Sequence, residues 1–252
     1  MDLGLNGKKV ILTGGSRGIG RAALEIYAEE GCDIAFFSRN ADQVAETVEV
    51  LSRHGGKVIG EPLDMLDHEA YVAWLKSAAH RLGGCDIFVP GASASGSGAT
   101  GDWEACFNAD IKGTVLGCET MLPYLEKSGD GAIVIMGSTA GTETFIVPQA
   151  FNALKAALIA YSGQLGQQVG PQGIRVNCVS PGPIKFPGGN WEAIQQAAPE
   201  LYDATEAAFA LGRWGGAAEV AKTIVFLSSS ASSYTTGTNV IIDGGYTKRV
   251  QF

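Results

Sequence analysis

Short apolar segments alternate with longer segments of helical periodicity along the whole chain of 252 residues. The predicted strands are Lys9–Thr13, Asp33–Ser38, Lys57–Leu63, Asp86–Pro90, Ala132–Gly137, Arg175–Ser180 and Asn239–Asp243. The predicted helices are Gly18–Glu30, Ala41–Arg53, Asp67–Leu82, Asp102–Lys127, Gln149–Val169 and Ala217–Ser229. Strands that read as nearly continuous apolar runs are typical of a parallel sheet with helices on both faces. The alternation therefore predicts an α/β fold with a doubly wound sheet of about seven parallel strands.

The alternation continues to the end of the chain without a Pro/Ser-rich linker or an internal repeat, so we expect residues 1–252 to form a single domain. One segment, Pro181–Arg213, interrupts the alternation of strands and helices: it contains four prolines and a helix-like run at Trp191–Leu211. Long loops in compact domains are commonly lids or binding elements. We expect a substrate lid around residues 183–213 and a second such loop at Gly91–Gly101.

The charge balance argues against two classes of partner. Lys and Arg total 18 against 26 for Asp and Glu, a formal net charge of −8. Proteins that bind nucleic acids or anionic membranes neutralise phosphates with clustered basic residues, so we expect neither partner. No apolar run reaches the roughly 18 residues that span a bilayer, and residues 1–9 show no secretory signal pattern.

The cysteines and histidines give no metal pattern. The five cysteines are scattered without CxxC spacing: Cys32, Cys85, Cys106, Cys118 and Cys178. We interpret them as small buried thiols of a cytoplasmic protein, because that compartment keeps thiols reduced. The three histidines, His54, His68 and His80, fall in polar helical stretches. Neither a metal site nor a catalytic histidine is expected.

The sharpest motif is Thr13-Gly14-Gly15-Ser16-Arg17-Gly18-Ile19-Gly20, between the first predicted strand and the first predicted helix. Glycines there permit a tight turn and let backbone N–H groups approach a pyrophosphate at the helix N-terminus. Simple strand–helix turns also use glycine. The position after the first strand of an alternating chain favours a Rossmann-like dinucleotide site.

The same stretch also matches the G-x-S-x-G turn of serine hydrolases. That chemistry needs an acid and then a histidine later in the chain. The last histidine is His80, which precedes most of the predicted sheet. The hydrolase interpretation therefore fails.

Over essentially its whole length the chain resembles the short-chain dehydrogenase/reductase family. The matching features are the glycine loop, Asp64 after the third strand, Ser138 after the fifth, Lys155 in the next helix, Asn177 followed by Pro181-Gly182-Pro183-Ile184, and Asp243-Gly244-Gly245. The resemblance implies a homo-oligomeric oxidoreductase that passes hydride between a nicotinamide and a carbonyl or alcohol. The implied cofactor-binding residues are Gly14, Ser16, Arg17, Gly18, Ile19, Gly20, Ser38, Arg39, Asp64, Met65, Gly91, Lys155, Pro181, Gly182 and Ile184.

The end of the second strand discriminates between the two nicotinamide cofactors. An acid there holds the 2′-hydroxyl of NAD, whereas the 2′-phosphate of NADP needs a cation. Here the strand ends in Ser38-Arg39, no acid comes before Asp42, and Arg17 lies in the glycine loop. This favours NADP(H) over NAD; the alternative is that both arginines are solvated surface residues. Asp64 resembles the family's adenine-binding acid, and a turn-forming role is the alternative.

The catalytic set departs from the family's pattern. Ser138 and Lys155 stand where the family has its serine and lysine, but Phe151 occupies the tyrosine position four residues before the lysine. Residues four apart share a helix face, so the phenol that donates the proton is missing. The family's asparagine appears as Asp110, and its strand-four Asn-Asn-Ala-Gly motif appears as Pro90–Ser93.

Three accounts fit these departures. The chain is a working reductase scaffold with a Tyr-to-Phe replacement that traps a bound complex, or a naturally altered enzyme that moves its proton with Ser138, Asp110 or water. The third account is a non-catalytic NADP-binding protein. Retention of Ser138, Lys155 and the whole glycine loop favours the first two. Tyrosine and phenylalanine differ by one oxygen atom, and so small a change favours the first account, the Tyr-to-Phe replacement in a working reductase scaffold.

The substrate and the assembly are predicted from apolar residues. Ser138, Phe145, Phe151, Phe186 and Trp191 are the candidate substrate contacts, which suit a hydrophobic ketone or alcohol, although some could instead cover the core. The two longest predicted helices carry apolar residues on more than one face, including Leu154, Leu158 and Leu165. Excess apolar surface is economically buried at a two-fold interface. With the family resemblance we expect a tetramer, or failing that a dimer.

Overall fold

The computed structural model describes residues 2–144 and 147–250. Its strands are β1 Lys9–Thr13, β2 Asp33–Ser38, β3 Val58–Pro62, β4 Ile87–Pro90, β5 Gly131–Met136, β6 Ile174–Pro181, β7 Ile184–Lys185, β8 Gly215–Gly216 and β9 Asn239–Ile242. Seven of these form one sheet in the order β3-β2-β1-β4-β5-β6-β9, and every pairing in it is parallel. β7 and β8 pair separately.

Helices cover both faces of this sheet. The α-helices of the described residues are α1 Gly18–Glu29, α2 Ala41–Ser52, α3 His68–Leu82, α4 Trp103–Cys106, α5 Gly113–Ser128, α6 Ala150–Val169, α7 Asn190–Ala197, α8 Pro199–Ala208 and α9 Ala217–Ser228. Successive residues of a strand face opposite sides. Ile11 of β1 packs with α3, α5 and α6, whereas Val10 and Leu12 pack with α1, α2 and α9. The predicted doubly wound fold is confirmed.

The helix predicted over Asp102–Lys127 is present as one helical run from Trp103 to Ser128, but it is not a regular α-helix throughout. The structure has α4, then a π-helical stretch at Phe107–Lys112, then α5. A π-turn widens the helix by one residue, and such turns are frequent at functional sites. This one turns Asp110 into the interior, where its side chain is 1% exposed. Nothing in the residue types of Phe107–Lys112 predicts the wider turn, because a charged residue such as Asp110 is expected on the outside of a helix.

The helix-like run predicted at Trp191–Leu211 is interrupted. Ala198, with φ −146° and ψ 68°, ends α7, and Pro199 begins α8. Proline disfavours the helical conformation in the residue before it, so two helices form instead of one. The segment between β7 and β8 is thus a compact helical pair over the carboxyl end of the sheet.

An aromatic cluster holds this segment together. The Trp214 ring stacks on Tyr202 at 4.5 Å between centroids, and lies 5.0 Å from Trp191 and 5.2 Å from Phe209. Tyr246, from the C-terminal segment, lies 5.4 Å from Phe209. Aromatic pairs at such separations stabilise beyond the area that they bury. The cluster therefore fixes the helical pair against the β8 region.

The five cysteines are buried, as predicted. Burial raises the pKa of the Cys32 thiol to about 12 and that of Cys118 to about 12. These thiols stay protonated at neutral pH and act as small packing residues. In the described part of the chain no helix is long and apolar enough to cross a bilayer.

Candidate active site

A cavity of about 510 Å³ opens at the carboxyl end of the sheet. The chain runs from β1 through β2 to β3, then returns to β4 on the other side of β1. Ligands of open α/β sheets bind outside the strands' carboxyl ends at such a reversal. Every predicted cofactor residue lines the cavity, as do Ser138, Phe151, Phe186 and Trp191 of the predicted substrate contacts. Phe145 lies outside the described residues.

The glycine loop requires its glycines. Gly14 has φ +78°, and a Cβ there would lie 2.9 Å from the Cα of Ala92. A Cβ on Gly20 would collide with the carbonyl oxygen of Gly14. The Thr13 hydroxyl accepts hydrogen bonds from the N–H groups of Gly91 and Ala92, both at 3.0 Å. The loop is therefore packed tightly against the end of β4, and the N-terminus of α1 faces the cavity.

The end of β2 presents hydroxyls and one cation to the cavity. The hydroxyl oxygen of Ser16 lies 2.7 Å from that of Ser38 and 3.1 Å from Oε1 of Gln43. Arg39 is exposed and lines the cavity, and it makes no hydrogen bond or ion pair with any described residue. An unpaired guanidinium at this position is suited to a phosphate.

Asp64 has the geometry of a turn former, the alternative that the sequence left open. Its Oδ1 accepts a hydrogen bond from the N–H of Leu66 at 3.0 Å, and its carbonyl accepts one from the N–H of Asp67 at 3.2 Å. The side chain is exposed at the cavity rim. Its second carboxylate oxygen has no described protein partner, so the turn does not use up the group's hydrogen-bonding capacity.

The guanidinium of Arg17, which the sequence predicts to bind the 2′-phosphate of NADP, makes hydrogen bonds to two backbone carbonyls. Its guanidinium donates to the carbonyl oxygen of Gly188 at 3.1 Å and to that of Gly96. Close by, Nδ2 of Asn190 donates to the carbonyl oxygen of Ser95 at 3.2 Å. Arg17 therefore ties the loop after β4 to the segment after β7, and its donors would have to leave these carbonyls to reach a phosphate. The sequence could not show this, because both acceptors are backbone atoms distant along the chain.

Lys155 is held by a buried ion pair. Its Nζ lies 3.0 Å from Oδ1 of Asp110 and donates to the carbonyl oxygen of Met136 at 2.7 Å. Oδ2 of Asp110 accepts the N–H of Ala94 at 3.0 Å. The side chains of Lys155 and Asp110 are 5% and 1% exposed. Asp110 does not line the cavity but lies behind the lysine, where its carboxylate pairs with the Lys155 Nζ.

Phe151 lies in the first turn of α6, one turn before Lys155. The Nζ of Lys155 is 5.4 Å from the centre of the Phe151 ring, within cation–π distance. The Phe151 N–H donates to the carbonyl oxygen of Thr100 at 3.0 Å. The cation therefore faces an aromatic ring that carries no proton to donate.

Ser138 presents its hydroxyl to the cavity at the start of a short 3₁₀ turn, where its Oγ accepts the N–H of Ala140 at 3.2 Å. Its hydrogen remains available for a substrate oxygen. Phe186 covers the glycine loop, since a Cβ on Gly18 would lie 2.8 Å from the ring. Trp191 reaches from the cavity to Trp214 in the aromatic cluster.

The ionisable side chains among the described cavity-lining residues are Arg17, Arg39, Asp64 and Lys155. No tyrosine, histidine or cysteine is among them. Tyr161, the nearest tyrosine along the chain to Phe151, is half-buried, and burial raises its pKa well above the usual value. Among the described lining residues the cavity thus offers hydrogen-bond donors and cations, and Asp64 is the one carboxylic acid.

Comparisons with known proteins agree with this geometry. A family model described as enoyl-(acyl carrier protein) reductase matches residues 14–247. Isoepoxydon dehydrogenase patN of Penicillium expansum is 34% identical over 259 residues, covering 100% of this chain and 99% of the relative. The NADP-dependent mannitol dehydrogenase of Hypocrea jecorina is 32% identical, covering 97% of this chain and 94% of that protein.

A solved structure shares the whole fold. L-sorbose reductase from Gluconobacter frateurii, complexed with NADPH and L-sorbose, superposes with a TM-score of 0.89 at 27% identity and covers 99% of this chain and 100% of its own. Sequence relatives, family model and fold all agree. The chain belongs to the short-chain dehydrogenase/reductase family of oxidoreductases.

Proposed function

We propose that this protein is an NADP(H)-dependent oxidoreductase that interconverts a hydrophobic ketone and a secondary alcohol, slowly for simple ketones because Phe151 stands in place of the proton donor. The observation that carries the proposal is that Ser138 and the ion-paired Lys155 line the same cavity as the glycine loop. A substrate bound beside the dinucleotide in this cavity would therefore be within the same space as the side chains of Ser138 and Lys155.

The residues fit a nicotinamide dinucleotide. The glycine loop has no room for a Cβ at Gly14 or Gly20, and it leads into the N-terminus of α1, which suits a pyrophosphate. The preference for NADP(H) rests on Ser38 and Arg39, because no acid occupies the end of β2. The names of the mannitol dehydrogenase and of the L-sorbose reductase complex support the same cofactor.

The bound cofactor would supply the hydride, and the chain's own residues would hold the reacting groups. The Ser138 hydroxyl would donate a hydrogen bond to the substrate oxygen. Lys155 would hold the nicotinamide ribose and place its positive charge near the oxygen that becomes negative. Phe186 and Trp191 would exclude water from the cavity. Under this proposal, the position next to Lys155 holds no side chain that donates a proton to the substrate oxygen.

The cofactor preference is testable with one substitution. We expect NADPH to bind at least about tenfold more tightly than NADH, a difference of about 1.4 kcal/mol. Arg39→Ala should remove most of this difference while leaving NADH affinity nearly unchanged, because only the 2′-phosphate contact is lost. Titration calorimetry with both cofactors measures it. Arg53→Ala, an exposed arginine paired with Glu49 on α2, is the matched control; equal affinities in the unmodified protein would refute the NADP assignment.

The reaction itself is tested by following the hydride. NADPH that carries deuterium at its transferable position is incubated with the protein and a panel of hydrophobic ketones. We expect slow loss of the reduced cofactor's absorbance and a product alcohol one mass unit heavier, with deuterium on the carbinol carbon. A chain that binds NADPH but gives no labelled alcohol with any ketone after prolonged incubation would be a binding protein instead.

The proposal includes a tetramer built on α4–α6, but not on the leucines that the sequence suggested. Leu158 and Leu165 are buried inside the protomer. The outer surface of this region instead exposes Trp103 and Phe107, at 61% and 50%, and a row of alanines on α6: Ala153, Ala156, Ala157 and Ala160. Contiguous apolar surface of this kind marks interaction sites.

A charged side chain on that surface should disrupt the assembly. Ala157→Arg is expected to shift the protein from tetramer to a smaller species in size-exclusion chromatography with light scattering, because an arginine cannot be buried there without a partner. Ala45→Arg, at an exposed position on α2, controls for the substitution itself. A monomeric unmodified protein at micromolar concentration would contradict the prediction.

A further inference from the structure

Apart from Asp64, the described lining residues include no carboxylic acid, and this limits which carbonyl the cavity reduces well. Reduction of a saturated ketone leaves an alkoxide, which is about as basic as hydroxide, since the pKa of water is about 15.7. A phenol has a pKa of about 10. A product that leaves as a phenolate therefore needs an acid in the site far less than a product that leaves as an alkoxide.

The described lining residues offer little to protonate an alkoxide. Lys155 is the one cation beside Ser138, and giving up its proton would leave the Asp110 carboxylate buried without its counter-charge. Ser138 donates a hydrogen bond but is a poor acid. Arg39 and Asp64 lie beside the glycine loop, at the end of the cavity assigned above to the cofactor's phosphate and adenine. The site can therefore stabilise an oxyanion without protonating it.

The apolar part of the cavity suits a flat ring. Phe151, Phe186 and Trp191 line the same cavity as Ser138 and contribute aromatic surface to it. The Nζ of Lys155 lies 5.4 Å from the centre of the Phe151 ring, so the positive charge is adjacent to an aromatic surface of the cavity. A planar, delocalised anion is better matched to these walls and this cation than the localised charge of an alkoxide.

We propose that the preferred substrate is a quinone, reduced to a hydroquinone that leaves the site as its phenolate; this rests on the proposed nicotinamide function. Hydride, with its electron pair, adds to one carbonyl oxygen. The ring becomes aromatic, and the opposite carbonyl oxygen becomes the phenolate. The nicotinamide is oxidised by two electrons, and the phenolate takes its proton from water after release. Ser138 and Lys155 hold the phenolate oxygen while it forms.

The test compares two probes in two proteins. 1,4-Naphthoquinone and 2-tetralone, whose carbonyl is flanked by saturated carbons, are similar in size, and NADPH oxidation under anaerobic conditions is followed with each, after subtraction of the reaction without protein. In the unmodified chain we expect the quinone to be reduced at least about 10³-fold faster. In Phe151→Tyr we expect ketone reduction to rise by at least about 10², the contribution of a positioned acid, and quinone reduction to change by less than threefold.

The ratio between the variants is the decisive result, because quinones are intrinsically easier to reduce. Phe151→Leu removes the ring without adding an acid and should lower quinone reduction while leaving ketone reduction as slow as in the unmodified chain. Equal gains for both probes in Phe151→Tyr would overturn the quinone assignment but leave the proposed nicotinamide function intact. No oxidation of NADPH with either probe, together with no NADPH binding, would refute the proposed function itself.

Discussion

Phe151→Tyr is expected to raise kcat for reduction of a saturated ketone by at least about 10²-fold. The substituted phenol would lie one helical turn before Lys155, whose Nζ is already 5.4 Å from the centre of the present ring. A neighbouring cation lowers the pKa of a phenol by favouring its charged form. The new hydroxyl would thus acquire the acidity that the present cavity lacks.

Steady-state kinetics with NADPH and a hydrophobic ketone measures this gain, and the affinity for NADPH serves as the internal control. We expect that affinity to change little, because the added oxygen acts on the carbonyl and not on the dinucleotide. Ser138→Ala in the Phe151→Tyr background should remove part of the gain. If the unmodified protein reduces saturated ketones at an ordinary rate, another donor acts and the account of Phe151 is wrong.

Asp110→Ala is expected to lower the free energy of unfolding by about 3–5 kcal/mol, the usual cost of removing one partner of a buried ion pair. Among the described residues, the substitution would leave the buried Lys155 ammonium with the Met136 carbonyl as its one hydrogen-bond acceptor, and the Ala94 N–H without the acceptor that it has now. Urea denaturation at one fixed protein concentration measures the loss, since an oligomer's apparent stability depends on concentration.

Two further variants separate charge from hydrogen bonding. Asp110→Asn keeps an acceptor for the Ala94 N–H and should cost less than Asp110→Ala. The double variant Asp110→Ala with Lys155→Met removes both charges and should recover part of the stability that the single variant loses. A loss below about 1 kcal/mol in Asp110→Ala would show that the ion pair does not hold the lysine.

The sheet could be read from the sequence because its strands are covered on both faces. Such strands are apolar almost without interruption, and each predicted bound differs from the observed one by at most one residue. The glycine loop could also be predicted from the sequence, because local geometry requires its glycines. Gly14 has a positive φ, and there is no room for a Cβ at Gly20.

What the sequence could not show depends on contacts between distant segments. The π-turn at Phe107–Lys112 exists where Asp110 meets Lys155 and the Ala94 N–H, three groups with no common local pattern. The sequence shows that Asp110 and Lys155 have side chains of opposite charge, but their separation along the chain does not predict that they form an ion pair. The contacts of Arg17 were hidden in the same way, because backbone carbonyls have no sequence signature.

The most direct test of the central claim is a crystal structure of the protein grown with NADP⁺. We predict that the dinucleotide lies in the cavity, with its 2′-phosphate on Arg39, its pyrophosphate over the glycine loop and its nicotinamide beside Ser138 and Lys155. Electron density for the dinucleotide anywhere else on the protein, or a cavity that stays empty at saturating NADP⁺, would contradict the account.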